Sequence, residues 1–128
     1  QLVGGSGFLG AWLTRFLNIN QCLARIFDPN KPDSEWHRLL GIRADATEWV
    51  AGDVSRKSDL DDAIRDCQGV INLAGLLTLE CSQNPVRGAE VNLIGAINVF
   101  EEVLKHGLKK VAYTSSTGVY GPDHVEFP

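Results

Sequence analysis

Apolar and polar positions along this chain follow two rhythms: short β-prone runs, and longer stretches with a helical repeat. Gln1-Leu2-Val3 reads as the end of a first strand. Over residues 8–18, Phe8, Leu9, Trp12, Leu13, Phe16 and Leu17 have the spacing of a helix with one buried stripe. Leu23-Ala24-Arg25-Ile26-Phe27 is a second strand, ended by the turn signal Asp28-Pro29-Asn30. Residues 29–46 are polar and punctuated by Pro and Gly, with a short helix over 34–40 turning Trp36, Leu39 and Leu40 inward. Thr47-Glu48-Trp49-Val50-Ala51 is a third strand, stopped by Gly52-Asp53. Ser58 or Asp59 then caps a helix carrying Leu60, Ala63 and Ile64, which ends near Gln68-Gly69. Residues 69–75 form a buried strand running into a small-residue turn. The longest helix spans 86–106, with Gly107 as its stop and His106 where a helix end favours a cation. A fifth strand covers 110–115.

Strands that alternate with helices imply parallel pairing and right-handed crossovers. The expected fold is α/β: a Rossmann-type doubly wound parallel sheet in three α/β/α layers. Both ends read as cut. The chain opens without Met, and only three residues precede the first glycine, where a strand usually has about five or six. It closes on Gly121-Pro122-Asp123-His124-Val125-Glu126-Phe127-Pro128, which reads as loop. Residues 1–128 are therefore expected to be one partial domain, truncated at each end.

Composition narrows the classes of function. The 128 residues are 44% hydrophobic and 22% charged, with net charge -4 and basic residues scattered rather than clustered. That balance argues against a nucleic-acid groove or an anionic membrane surface as partner. No apolar run is long enough to span a bilayer, and no signal-like stretch opens the chain. Cys22, Cys67 and Cys81 are far apart and form no Cys-x-x-Cys pair, which fits buried thiols in a reducing cytoplasm. No metal site is expected. His37, His106 and His124 lack a partner set, and Asp59-Leu60-Asp61-Asp62 reads as a solvated helix start.

The chemistry lies in Gly4-Gly5-Ser6-Gly7-Phe8-Leu9-Gly10, with glycines at 4, 7 and 10 between a strand and an amphipathic helix. A strand turning sharply into a helix, a backbone approaching a pyrophosphate, and a helix packed tightly on a sheet would each be obstructed by a Cβ. The first N–H groups of the helix then hold the phosphates. Taken alone, such glycines serve an ordinary turn equally well. Asp28, 24 residues after Gly4 at the end of the second strand, adds the acid that receives the adenosine ribose hydroxyls in this fold. Its charge opposes a 2′-phosphate, by about 4 kcal/mol at 4 Å and an effective dielectric near 20. No Arg immediately follows it. The expected cofactor is NAD rather than NADP.

These residues resemble the extended short-chain dehydrogenase/reductase family, specifically its NAD-dependent epimerases and dehydratases, over essentially the whole chain. The glycine string looks like that family's phosphate loop, with Val3 where the family usually has Thr. Gly52-Asp53-Val54 resembles its adenine-edge turn, which would set Asp53 near the ring amine; a plain turn role for Asp53 stands beside that reading. Leu73-Ala74-Gly75-Leu76 resembles the strand end lying against the cofactor, and Asn92-x-x-Gly95 a family helix signature. Residues 111–121 resemble the strand and loop carrying the catalytic Ser/Thr, which falls on Ser116. The resemblance thus implies cofactor contacts from Gly4, Gly7, Phe8, Leu9, Gly10, Asp28, Asp53, Val54, Leu73, Ala74, Gly75 and Asn92.

The family's proton-moving Tyr has a Lys four residues later, which brings a phenol of ordinary pKa near 10 toward neutrality. Here Thr117 follows Tyr113 and His124 follows Tyr120 at that spacing, so the pair is expected beyond Pro128. The resemblance implies the cofactor-binding part of an oxidoreductase or isomerase, an epimerase or dehydratase that moves hydride between a secondary alcohol and nicotinamide. A nucleotide sugar is the leading substrate class, with hydroxysteroid or flavonoid alcohols as the alternative. A non-catalytic dinucleotide sensor is the reading of a different class. It also implies a homodimer through the helix at 86–106, whose apolar positions spill beyond one stripe; burial against the rest of its own domain would explain the same pattern. The leucine-rich loop Leu76-Leu77-Thr78-Leu79 is expected to form an apolar wall where nicotinamide and substrate meet.

Overall fold

In the computed structural model residues 1–120 are described; residues 121–128, with His124, lie outside the described residues. Five strands, β1 (Leu2–Val3), β2 (Ala24–Phe27), β3 (Thr47–Val50), β4 (Val70–Asn72) and β5 (Val111–Tyr113), form one parallel sheet in the order β3-β2-β1-β4-β5. Leu2 pairs with Ile26 on one side and Ile71 on the other, so the sheet is wound outward from β1 in both directions. This is the expected Rossmann-type topology. The winding reverses between β1 and β4, and ligands of such sheets settle at the carboxyl ends of the strands beside that reversal.

The pleat sends alternate residues to opposite layers. Val3, Phe27 and Val70 join Leu60, Ala63 and Ile64 of α3 (Lys57–Ile64) and Val99 and Val103 of α6 (Ala96–Lys105) in one buried cluster. Leu2 and Ile26, equally buried, are the alternate residues of β1 and β2. Asn98 joins the α3 layer to the loop after β3 by donating from Nδ2 to the carbonyl of Val54 at 3.0 Å.

The helix α1 (Phe8–Ile19) forms where periodicity places it, but with the other side inward. Its buried residues are Gly10, Ala11, Thr14 and Asn18, while Phe8, Trp12 and Phe16 are exposed and Leu13 and Leu17 half-buried. Small side chains let the helix lie close on the sheet, and the Asn18 amide is satisfied inside. Its Nδ2 donates to the Ala46 carbonyl at 3.3 Å, and its Oδ1 accepts from the Arg43 amide at 2.9 Å. The displaced aromatics form an outer layer in which Phe8 meets Trp36 edge-on at 5.6 Å. In α2 (Ser34–Leu39), capped by the Asp33 carboxylate, Trp36 and Leu39 are likewise exposed, and only the following Leu40 turns inward.

Other boundaries shift for local reasons. No side chain caps α3: Asp59 instead accepts from the amide of Asp53 at 3.1 Å. The helix closes at Ile64, well before Gln68, and Asp66 takes a left-handed backbone (φ 61°) in the turn. The leucine-rich stretch expected to be loop contributes Thr78 and Leu79 to α4 (Thr78–Gln83). The long helix is α5 (Pro85–Ala89), a π-helical turn (Glu90–Gly95) and α6 in succession, and Gly107 (φ 66°) ends it as expected. Among the described residues no helix is long and apolar enough to cross a membrane, and all three cysteines are free thiols.

Candidate functional site

At the carboxyl ends of β1 and β4 lies a cleft of about 690 Å³. The loop from Gly4 to Gly10 forms one wall, Asp28 to Asn30 the next, Asp53 and Val54 the third, and Leu73 to Leu77 the fourth. A pocket of this size, at the point where the winding reverses, is the expected seat of a small molecule or cofactor.

Two of the glycines are required by the fold. Gly4 has φ 71°, and a Cβ there would stand 2.6 Å from the backbone of Ala74, so β1 and β4 can meet only without it. A Cβ on Gly10 would collide with the backbone of Gly5, so the first turn of α1 sits directly on its own loop. Gly7 differs. It has nothing within 4 Å of where a Cβ would be and faces the cleft. As N-cap of α1 it accepts the first intrahelical bond, from the Ala11 amide at 3.0 Å, which leaves the amides of Phe8, Leu9 and Gly10 ahead of the helical ladder. Those amides and the positive end of the helix make an anion-binding corner.

Asp28 follows β2 directly and is tied to that corner. Its Oδ2 accepts from the Ser6 amide at 3.1 Å, and its Oδ1 accepts from Asn30 at 2.9 Å. Each carboxylate oxygen retains a lone pair for a further donor. Trp49 Nε1 donates to the Asp28 carbonyl at 3.2 Å, which anchors the turn from β3. Lys31 also lines this end of the cleft, a cation that inspection of the position immediately after Asp28 overlooks.

Asp53 is engaged on both oxygens. Oδ1 accepts from the Ser55 amide and hydroxyl at 2.9 and 2.8 Å, and Oδ2 is 2.6 Å from Arg87 Nη2. Burial raises its carboxyl pKa, but the Ser55 and Arg87 contacts outweigh that and hold it below its ordinary value. The hydrogen bonds that Arg87 donates to Asp53 and then to Glu90 raise the guanidinium pKa in turn. Asp53 is thus both a turn residue and part of the cleft wall. Arg87, brought from 34 positions away, has no signal in the sequence that would have found it. Val54 is buried in the core and touches the cleft from beneath.

Leu73, Ala74 and Gly75 line the cleft as the end of β4, and Thr114 joins them from the end of β5. Asn92 does not line it. Within the π-helical turn, its Oδ1 accepts from the Leu76 amide at 2.7 Å and its Nδ2 donates to the Leu76 carbonyl at 3.0 Å. It fastens the wall from behind. Ser116 lies two residues past Thr114, exposed, with Oγ accepting from the Gly118 amide at 3.1 Å.

Comparison with known proteins gives a consistent picture. The model of the 3-beta hydroxysteroid dehydrogenase/isomerase family matches residues 1–127. A UDP-glucose 4-epimerase of Pisum sativum is 39% identical over 130 residues, covering 94% of this chain and 37% of that protein. The 3 beta-hydroxysteroid dehydrogenase type 7 of Homo sapiens is 30% identical over 125 residues, covering 95% of this chain and 33% of that protein. The chain therefore spans little more than a third of the curated relatives it matches. Its fold is that of the UDP-glucose 4-epimerase of Stenotrophomonas maltophila solved with bound NAD and formylated UDP-arabinopyranose: TM-score 0.82 at 22% identity, over 96% of this chain and 38% of that one.

Proposed function

The chain belongs to the 3-beta hydroxysteroid dehydrogenase/isomerase family, among the extended short-chain dehydrogenase/reductases, and from that premise we propose that its cleft binds NAD as part of an alcohol oxidoreductase or epimerase. The observation that carries the reading is the cradle itself: Gly4 and Gly10 exclude any side chain, and Asp28 is bonded to the same loop. The residues fit the group. Amides of Gly7, Phe8, Leu9 and Gly10 would hold its diphosphate, Asp28 the adenosine ribose, and Asp53 and Val54 the adenine edge. Leu73, Ala74 and Gly75 would form the floor toward the nicotinamide, kept in place by Asn92.

When bound, the cofactor supplies a hydride acceptor or donor. The chain's own part is to orient it, to exclude water along the apolar floor, and to present Ser116 to a substrate hydroxyl. With Oγ accepting from Gly118, the Ser116 hydroxyl proton stays available to donate. Titration of the full-length protein with NAD and NADP by calorimetry tests this. Preference for NAD supports it, tighter NADP binding overturns the specificity, and silence with both overturns the site.

For the substrate we propose a nucleotide sugar, the class named in the epimerase relatives. An apolar alcohol is the second reading, favoured by Leu77 and Leu79, exposed at 76% and 68% beside the cleft wall. Turnover assays with UDP-hexoses and with 3β-hydroxysteroids separate them. We also propose a homodimer through α6 and the turn before it, where Leu93, Ile97, Phe100 and Leu104 are exposed. Light scattering on the full-length protein decides it, and a monomer at high concentration ends that part of the proposal. A cytoplasmic site of action accords with three free thiols.

A further inference from the structure

None of the residues where α3 meets the end of α6 lines the cleft, yet their side chains form a second centre of charge. Glu102 is 1% exposed, and its Oε2 accepts no hydrogen bond. Lys105 Nζ stands 3.2 Å from that oxygen and His106 Nε2 3.6 Å, while Lys57 Nζ approaches Oε1 at 3.9 Å. Asp61 reaches across from α3: its Oδ1 is 2.7 Å from His106 Nε2 and 2.8 Å from Lys105 Nζ, and its Oδ2 is 3.9 Å from Arg65. One donor atom each from Asp61, Glu102 and His106 lies within 4.8 Å of the others. That buried oxygen has ion-pair partners in Lys105 and His106 but no hydrogen bond of good geometry, and a cation coordinated among these three groups in place of the Lys105 ammonium would satisfy it.

We propose that Asp61, Glu102 and His106 form a binding site for a divalent transition-metal cation of the zinc type, fastening α3 to α6. Glu102 and His106 are four residues apart and so share one face of the helix end, and Asp61 supplies the ligand from across the interface. Once the Lys105 ammonium swings out from between them, two carboxylates and one neutral imidazole balance a dication. The imidazole selects zinc, cobalt or nickel over magnesium and calcium. Three protein ligands leave a fourth position to water. Tetrahedral bonds near 2.0 Å put neighbouring ligand atoms about 3.3 Å apart. The observed 2.7 and 3.6 Å between His106 and its two carboxylates bracket that value. Lys105, placed between Asp61 and Glu102, is the metal's competitor for the same position.

The test is titration of chelator-treated full-length protein with Co²⁺, followed by its visible absorption, and with Zn²⁺ by calorimetry. The expected result is one saturable site with the intense cobalt band of low coordination, and no response to Mg²⁺ at equal concentration. Asp61→Asn and His106→Gln each weaken binding by about tenfold or more, since even outer-sphere losses cost that much. Lys105→Met tightens it several-fold. Thermal melts confirm that the variants fold, and if Asp61→Asn does not, the opposite responses of His106→Gln and Lys105→Met decide. Absence of saturable binding, or equal affinity in all three variants, overturns the site and in the latter case places the ion elsewhere.

Discussion

The backbone N–H of Ser6 donates to Asp28 Oδ2 at 3.1 Å, across 22 positions of sequence. The acid at the end of β2 and the glycine loop after β1 are therefore one rigid piece. Asp28 has a structural task, holding the loop, and keeps lone pairs for a ligand. A substitution there acts on both.

Asp28→Asn keeps an acceptor for Ser6 and removes the charge. Its affinity for NAD is expected to fall about 10- to 150-fold, the worth of charged hydrogen bonds of about 1.5–3 kcal/mol. Discrimination against NADP is expected to shrink at the same time, helped by Lys31 in the same wall. Calorimetric titrations of the full-length variant with both cofactors measure this. Unchanged NAD affinity would remove Asp28 from the ribose site.

Gly7 and Gly10 give a contrast with opposite readouts. Gly10→Ala forces a Cβ into the Gly5 backbone, which cannot rotate away, and destabilises the fold by about 1–3 kcal/mol. Gly7→Ala meets nothing within the protein, so the melting temperature holds while NAD binding weakens, because the added methyl stands where the diphosphate approaches. Thermal melts with and without NAD show both. A Gly7→Ala protein that binds NAD like the parent would mean the ligand stays clear of that corner.

How far these features were legible depends on how local their causes are. The strand, glycine turn and helix around residues 2–19 are set by neighbours in sequence, and Asp28 sits at a spacing that a βαβ unit fixes. The buried face of α1 was not legible. Hydrophobic periodicity marks an apolar stripe but does not say that close helix–sheet contact takes Gly10, Ala11 and Thr14 inside and leaves Phe8 and Phe16 outside. Asn18 looks like a surface residue until Arg43 and Ala46 arrive as its partners. Arg87 and the π-helical turn that aims Asn92 at Leu76 arise from tertiary contacts 16 and more positions apart, to which a window of sequence is blind.

Asn92→Leu removes both bonds to the Leu76 backbone. Because the pair is exposed, the loss of global stability is expected to be small, about 0.5–1.5 kcal/mol. The local effect should be larger: the amide of Leu76 is expected to exchange faster with solvent, and NAD to bind more weakly through a loosened floor. Hydrogen exchange at residues 75–78 checks it. Unaltered exchange would show that α4 alone holds this wall.

The ion pair of Asp53 with Arg87 carries a pH signature of definite sign. A carboxyl whose folded-state pKa lies below its unfolded value stabilises the fold above the unfolded value, and that contribution is lost as pH falls through the folded one. Asp53 is such a group, so its share of stability is complete near neutrality and disappears in the acid range below pH 4. Arg87→Met takes away one of the contacts that lower it. The Asp53 carboxyl is then expected to titrate higher, and the acid side of the stability profile to move upward in pH with it. Ser55 still donates two bonds, so the move should be partial. NMR titration of the Asp53 carboxyl in both proteins measures the shift. A midpoint that does not move on losing Arg87 would assign the lowering to the Ser55 turn alone, and would leave the guanidinium free to serve a ligand in the cleft.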